Sequence, residues 1–105
     1  MDKLEKSIIF CELYNFYKNL ITEKQRQIFY DYYFKDIGLT EISENLKISR
    51  QAVLDSIKKT EKMLEEYEKK LKLHSIFSTQ KELVDDIKKS KDISLIDNFL
   101  LLWEE

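Results

Sequence analysis

Apolar residues recur at three- and four-residue steps along most of the chain, the repeat of helices that each bury one face. Ile9, Leu13, Phe16, Tyr17 and Leu20 form the first such stripe and predict a helix from about Leu4 to Leu20. Thr22, with Gln25 three residues on, matches a capping box, and Ile28, Phe29, Tyr32 and Tyr33 supply the next apolar face. A second helix is therefore expected over roughly Glu23 to Phe34, with Gly38 in a left-handed turn after it. Leu39, Ile42 and Leu46 share one side of a two-turn helix for which Thr40 is the expected N-cap. Lys47-Ile48 leaves only a very short connection before Ser49, whose hydroxyl suits the cap of a further helix. In that helix Val53, Ile57, Thr60, Leu64, Tyr67, Leu71 and His74 form a heptad-like seam, predicting a span from Arg50 to about Leu73. Its length would be about 36 Å at 1.5 Å per residue. Thr79 and Glu82 repeat the capping-box spacing ahead of Leu83, Val84 and Ile87, which predicts a short helix there. The final segment carries Ile93, Leu95, Ile96, Phe99, Leu100, Leu101, Leu102 and Trp103, is apolar on nearly every side, and requires cover from this chain or another.

Composition narrows this pattern to a fold class. Proline is absent and Gly38 is the one glycine, whereas hairpins need such residues for their turns, so the chain is expected to be all-α. Its 105 residues suit one helical domain, residues 1–105, with a helix-turn-helix region at 22–60 and a long-helix extension with C-terminal helices at 61–105. No apolar stretch reaches the roughly 18 residues of a bilayer span. The start, Met1 to Lys6, mixes acidic and basic residues, unlike a secretory signal, so no membrane insertion and a cytoplasmic location are expected. Cys11 is the only cysteine, which excludes an internal disulfide or a cysteine zinc cluster and fits a reducing compartment.

Net charge is −2, which argues against a protein that coats nucleic acid non-specifically. The distribution is uneven. Residues 22–60 hold seven basic side chains (Lys24, Arg26, Lys35, Lys47, Arg50, Lys58 and Lys59) against six acidic, whereas residues 61–105 hold eight against eleven. Any nucleic-acid surface is thus small and local, and the C-terminal half suits a protein partner better.

Helix, short turn and second helix form the helix-turn-helix arrangement, in which the first helix braces the second so that its N-terminal side chains enter a major groove. Ile42, Leu46, Ile48, Val53 and Ile57 are the expected buried residues of this pair, leaving Ser49, Arg50, Gln51 and Leu54 outward. Arg and Gln at that position are the side chains best able to make bidentate contacts with guanine and adenine. Ser49, Arg50, Gln51, Lys58 and Lys59 are the candidate nucleic-acid-binding residues. Phe29, Tyr30, Tyr32, Tyr33 and Phe34 could stack RNA bases, but at helical spacing most of this cluster is expected in the core. His74 has no second His or Cys at ligand spacing, and Glu65-Glu66 and Asp85-Asp86 are adjacent pairs that point apart on a helix. With no phosphate-cradling glycine loop or nucleophile elbow either, the expectation is a non-enzyme with no catalytic residues, no metal and no cofactor.

From Thr22 through Lys58 the order of helix, short link and helix-turn-helix resembles region 4 of bacterial sigma factors. The runs Leu20 to Arg26, Ser49 to Val53, Ile57 to Glu61 and Leu64 to Leu71 resemble the small YlxM-like proteins of low-GC Gram-positive bacteria, over most of residues 4–75. Genes of that family tend to lie beside those of the signal recognition particle GTPase and its receptor. The resemblance therefore implies a role assisting or regulating that targeting pathway, with signal recognition particle RNA or proteins as partners. Two departures from the sigma pattern stand out. Leu54, Asp55 and Ser56 occupy positions where sigma recognition helices add basic residues, and Asp55 would repel phosphate. Lys47 stands where many such turns place glycine, so it must tolerate a left-handed backbone or the link must take another shape.

The function expected from all this is a nucleic-acid-binding regulator, acting on DNA or on signal recognition particle RNA, as a homodimer through the apolar C-terminal helix, the long-helix seam, or both. Its rival is a protein–protein adaptor that uses the same fold without touching nucleic acid.

Overall fold

The structure, a computed structural model, describes residues 3–91 and 93–102, all side chains but that of Phe99 included. The expectations that fall on Trp103 and on the Phe99 side chain lie outside it. Among the described residues there are six α-helices, α1 (Lys3–Tyr17), α2 (Glu23–Tyr33), α3 (Leu39–Leu46), α4 (Arg50–Leu71), α5 (Leu73–Ser90) and α6 (Leu95–Leu101), with a short 3-10 turn at Lys18–Leu20 and no strand. The chain is all-α, and it divides into two compact units at Lys70 and Leu71.

The first unit is built on α1 to α4. The face of α1 that goes inward is Phe10, Leu13, Tyr14 and Tyr17, rotated from the predicted stripe, and Leu20 is exposed. The reason is aromatic packing. Tyr14 stacks on Phe29 at 5.1 Å between ring centroids, and Phe10 meets Tyr33 at 5.9 Å, so the large rings of α2 choose which side of α1 they cover. At the start of α2 the capping box forms as predicted: Gln25 N–H donates to Thr22 Oγ1 at 3.1 Å and Thr22 N–H to Gln25 Oε1 at 2.9 Å. Arg26 then donates to the carbonyls of Lys18 and Ile21, both at 3.0 Å, which ties the 3-10 turn to α2. The Leu20–Arg26 run is therefore a structural lock.

Gly38 is not left-handed. Its φ of −72° and ψ of 159° are extended, it is the N-cap residue of α3 in place of Thr40, and the left-handed residue of the α2–α3 link is Asp36 at φ 56°. Aspartate tolerates that region better than most residues, so glycine is not required here. On α4, Val53, Ile57, Thr60 and Leu64 are buried. The seam predicted as a coiled-coil contact is covered as far as Leu64 inside this unit, and beyond it Tyr67 Oη donates to the Leu20 carbonyl at 3.1 Å and Tyr17 Oη to Glu68 Oε1 at 2.6 Å. Leu71, at the end of the seam, is exposed.

In the second unit α5 runs unbroken from Leu73 to Ser90, after a left-handed Lys72. The helix start predicted at Thr79 does not occur. Thr79 sits within the helix, its hydroxyl donating to the Ser75 carbonyl at 3.1 Å, so local hydrogen-bond capacity that resembles a cap is used against the preceding turn. No residue of α5 is fully buried, and on α6 Ile96, Leu100 and Leu101 are exposed.

Candidate nucleic-acid interface

The helix-turn-helix is α3 and α4, held as one body by a small apolar cluster. Ile42 on α3, Val53 and Ile57 on α4 and Ile28 on α2 are buried, and Leu46 and Ile48 pack half-buried against them. The predicted core residues of the motif are thus the observed ones, with Ile28 added. The turn is closed by backbone bonds. Lys47 is left-handed at φ 57° and ψ 42°, Ile48 N–H reaches the Ser43 carbonyl at 3.1 Å, and Lys47 N–H contacts the Glu44 carbonyl at 3.4 Å, the pattern of a Schellman ending. Lysine occupies a glycine position by accepting left-handed strain, the first of the two geometries open to it. Ser43, buried, donates its hydroxyl to the Thr40 carbonyl at 2.7 Å.

Ser49 ends the turn, and its Oγ accepts from Ala52 N–H at 3.0 Å. It is therefore the N-cap of α4, and a hydroxyl used in this way positions the helix before anything else. Arg50 and Gln51 follow on the first turn, both exposed, as expected of side chains that face outward. Gln51 Nε2 donates to Asp55 Oδ1 at 2.8 Å, one turn along the same exposed face. This bond holds the amide extended over α4 and keeps the Asp55 carboxylate beside it. Leu54, expected outward, is half-buried.

Lys58 and Lys59 are exposed but diverge. Consecutive residues on a helix are separated by about 100°, so one lysine leans to each flank of α4. Lys59 lines a groove with Lys24, Gln25, Ile48, Ala52, Asp55 and Ser56, against the start of α2. Lys58 lines another with Lys3, Lys6, Tyr32, Leu54 and Glu61, against the start of α1. The structure thus brings Ser49, Arg50 and Gln51 to one end of α4 and places the two lysines on separate sides of its exposed face. Lys3, Lys6 and Lys24 were not singled out from sequence. Lys3 and Lys6 share a helical face at i, i+3, but only the packing of α1 puts them next to α4. The aromatic cluster divides as well: Phe29 is buried, Tyr32 and Tyr33 are half-buried, and Tyr30 and Phe34 stay exposed, stacked at 4.9 Å. Among the described residues no group of three His, Cys, Asp or Glu could hold a metal ion, and no helix is long and apolar enough to cross a membrane.

A family model described as "Putative helix-turn-helix protein, YlxM / p13 like" matches residues 4–99. The chain belongs to this family. The match takes in all six helices but the first residue of α1 and the last two of α6, well past residue 75, where the resemblance seen in the sequence ends. Among relatives bearing the same family name, one from Halalkalibacterium halodurans is 46% identical over 89 residues, covering 85% of this chain and 82% of the relative. One from a Geobacillus species is 49% identical over 85 residues, covering 81% of this chain and 77% of its own length. One from Bacillus cereus is 48% identical over the same share of both chains. In this YlxM/p13-like chain the α3–α4 pair has the helix-turn-helix arrangement, with Ile28 of α2 packed against it.

Proposed function

We propose that this chain is a non-catalytic, nucleic-acid-binding regulator that reads a duplex through the N-terminal turn of α4, with Ser49, Arg50 and Gln51 at the base edges and Lys58 and Lys59 on flanking phosphates. The observation that carries this reading is the exposure of Arg50 and Gln51 on a helix start whose opposite face is locked by Ile28, Ile42, Val53 and Ile57. A reader needs that rigidity, because a bidentate contact tolerates little displacement. The Gln51–Asp55 bond supports a further detail: Asp55 keeps phosphate away from the centre of the face, so the backbone is met at the flanks. The resemblance to YlxM-like proteins makes DNA or the RNA of the signal recognition particle the preferred target, and the cytoplasm the site of action. The test is recovery of nucleic acid bound to the full chain from a cytoplasmic extract, then titration of the recovered species with the Arg50→Ala, Gln51→Ala double variant. Affinity is expected to fall at least tenfold, since each bidentate contact is worth about 1–3 kcal/mol. Undiminished binding would make the helix-turn-helix a scaffold.

The apolar surface of the second unit favours a second reading, in which a second copy of the chain docks there and forms a homodimer. Val84, Ile96, Leu100 and Leu101 are exposed on α5 and α6, and a symmetric pair is the commonest way for soluble proteins to cover such a surface. Light scattering that returns 12.7 kDa at micromolar concentration would reject it.

A further inference from the structure

We propose that the groove between the start of α1 and the middle of α4, lined by Lys3, Lys6, Ser7, Tyr32, Leu54 and Lys58, is a phosphodiester-binding track that extends the nucleic-acid surface beyond α4. It rests on the reading of α4 as a nucleic-acid reader.

Two helices supply the groove by their own periodicity. On α1, Lys3, Lys6 and Ser7 stand at i, i+3 and i+4, and on α4, Leu54 and Lys58 stand at i and i+4, so each helix presents one continuous side. The Phe10–Tyr33 ring contact at 5.9 Å, just beyond this end of α1, anchors the helix to α2 and sets the two sides against each other. Three lysines then line one cleft. Among the described residues the only carboxylate lining it is Glu61, which already accepts a hydrogen bond from Tyr33 Oη. Lys6 Nζ lies 5.6 Å from the Phe10 ring centroid, a cation–π contact that limits where its charge can go. Cationic side chains on both walls of a cleft favour a polyanion between them.

The position of the groove selects the anion. Lys58 follows Arg50 by eight residues, about 12 Å along the helix axis. One strand of a duplex advances roughly 3.4 Å per phosphate, so a strand read at Arg50 reaches the groove in about three to four nucleotides. Ser7 and Tyr32 add neutral hydroxyl donors of the kind that fix a backbone in register without reading sequence.

The experiment is fluorescence anisotropy of the full-length chain with a mixed-sequence DNA duplex and with an RNA duplex of the same sequence, from low to moderate salt. A phosphate track is sequence-independent, so a mixed sequence is sufficient to report it. Each lost phosphate contact should reduce the steepness of log affinity against log salt by about 0.9. Lys3→Ala with Lys6→Ala is expected to lower the slope by about two units with at least one duplex, and the duplex that shows the change identifies the backbone. Lys3→Arg with Lys6→Arg should retain the wild-type slope. An unchanged slope in the alanine variant, with binding intact, overturns the track and leaves the reading of α4 standing. If the wild-type chain binds neither duplex at low salt, the track is overturned, while the reading of α4 is decided separately by titration of the recovered nucleic acid with the Arg50→Ala, Gln51→Ala variant.

Discussion

Two hydroxyls, one fully buried and one half-buried, show how much a single side chain decides in this protein. Thr60 is fully buried on α4 and its Oγ1 has no hydrogen-bond partner among the described residues, so the fold carries the desolvation cost of a polar atom with nothing in return. Thr60→Val keeps the branched shape and removes that atom. Stability is expected to rise by about 1 kcal/mol, as a higher midpoint in urea unfolding. Tyr33 is the opposite case, a hydroxyl with a partner. Burial first, and then the bond to the Glu61 carboxylate, push its pKa well above the ordinary tyrosine value of 10.0. A raised folded-state pKa means that the native chain holds the proton more tightly than the unfolded one. The stabilisation is therefore fully present below about pH 10 and declines as the pH rises further, because only the unfolded chain releases the proton. Tyr33→Phe should make the alkaline loss of stability shallower in denaturant titrations between neutral and strongly alkaline pH. A remainder is expected from Tyr14, whose pKa burial also raises. A slope identical to wild type would contradict this account of Tyr33.

At the scale of elements, the α3–α4 turn is the place where the local sequence and the required backbone disagree. A left-handed backbone costs a side-chain-bearing residue roughly 1–2 kcal/mol, and glycine avoids this at a smaller cost in unfolded-state entropy. Lys47→Gly is therefore expected to stabilise the chain by about 0.5 to 1 kcal/mol, seen as a raised thermal midpoint with the helical dichroism unchanged. A lower midpoint would mean that the lysine side chain contributes something the backbone does not show. The long helix and the capping box at Thr22 were legible because each is specified by residues within one or two turns. The break predicted near Thr79 failed for the same reason. A threonine followed by a glutamate looks the same whether its hydroxyl caps a new helix or bonds back to the turn before, and only the continuing backbone of α5 distinguishes them.

For the whole molecule, burial is concentrated in the first unit. Among the described residues every fully buried apolar side chain lies between Phe10 and Leu64, and none lies on α5. Local opening costs least where few apolar contacts are lost, so native-state hydrogen exchange should be slowest in α2 and the first half of α4 and markedly faster in α5 and α6. Equal protection of α4 and α5 amides would contradict this and indicate that something covers the second unit in solution. The same distribution explains what could be known in advance. The residue pattern by itself determined the all-α class, the α3–α4 motif with its core of Ile42, Val53 and Ile57, and the outward position of Arg50 and Gln51. Each of these follows from helical periodicity, and periodicity is local. Tertiary structure alone decided which side of α1 is buried, that the seam of α4 is covered within its own chain as far as Leu64, that Lys58 and Lys59 part to separate grooves, and that Lys3 and Lys6 join the first of them. Those outcomes depend on how aromatic rings on α1 and α2 fit together, and that fit is a property of facing surfaces rather than of any one stretch of sequence.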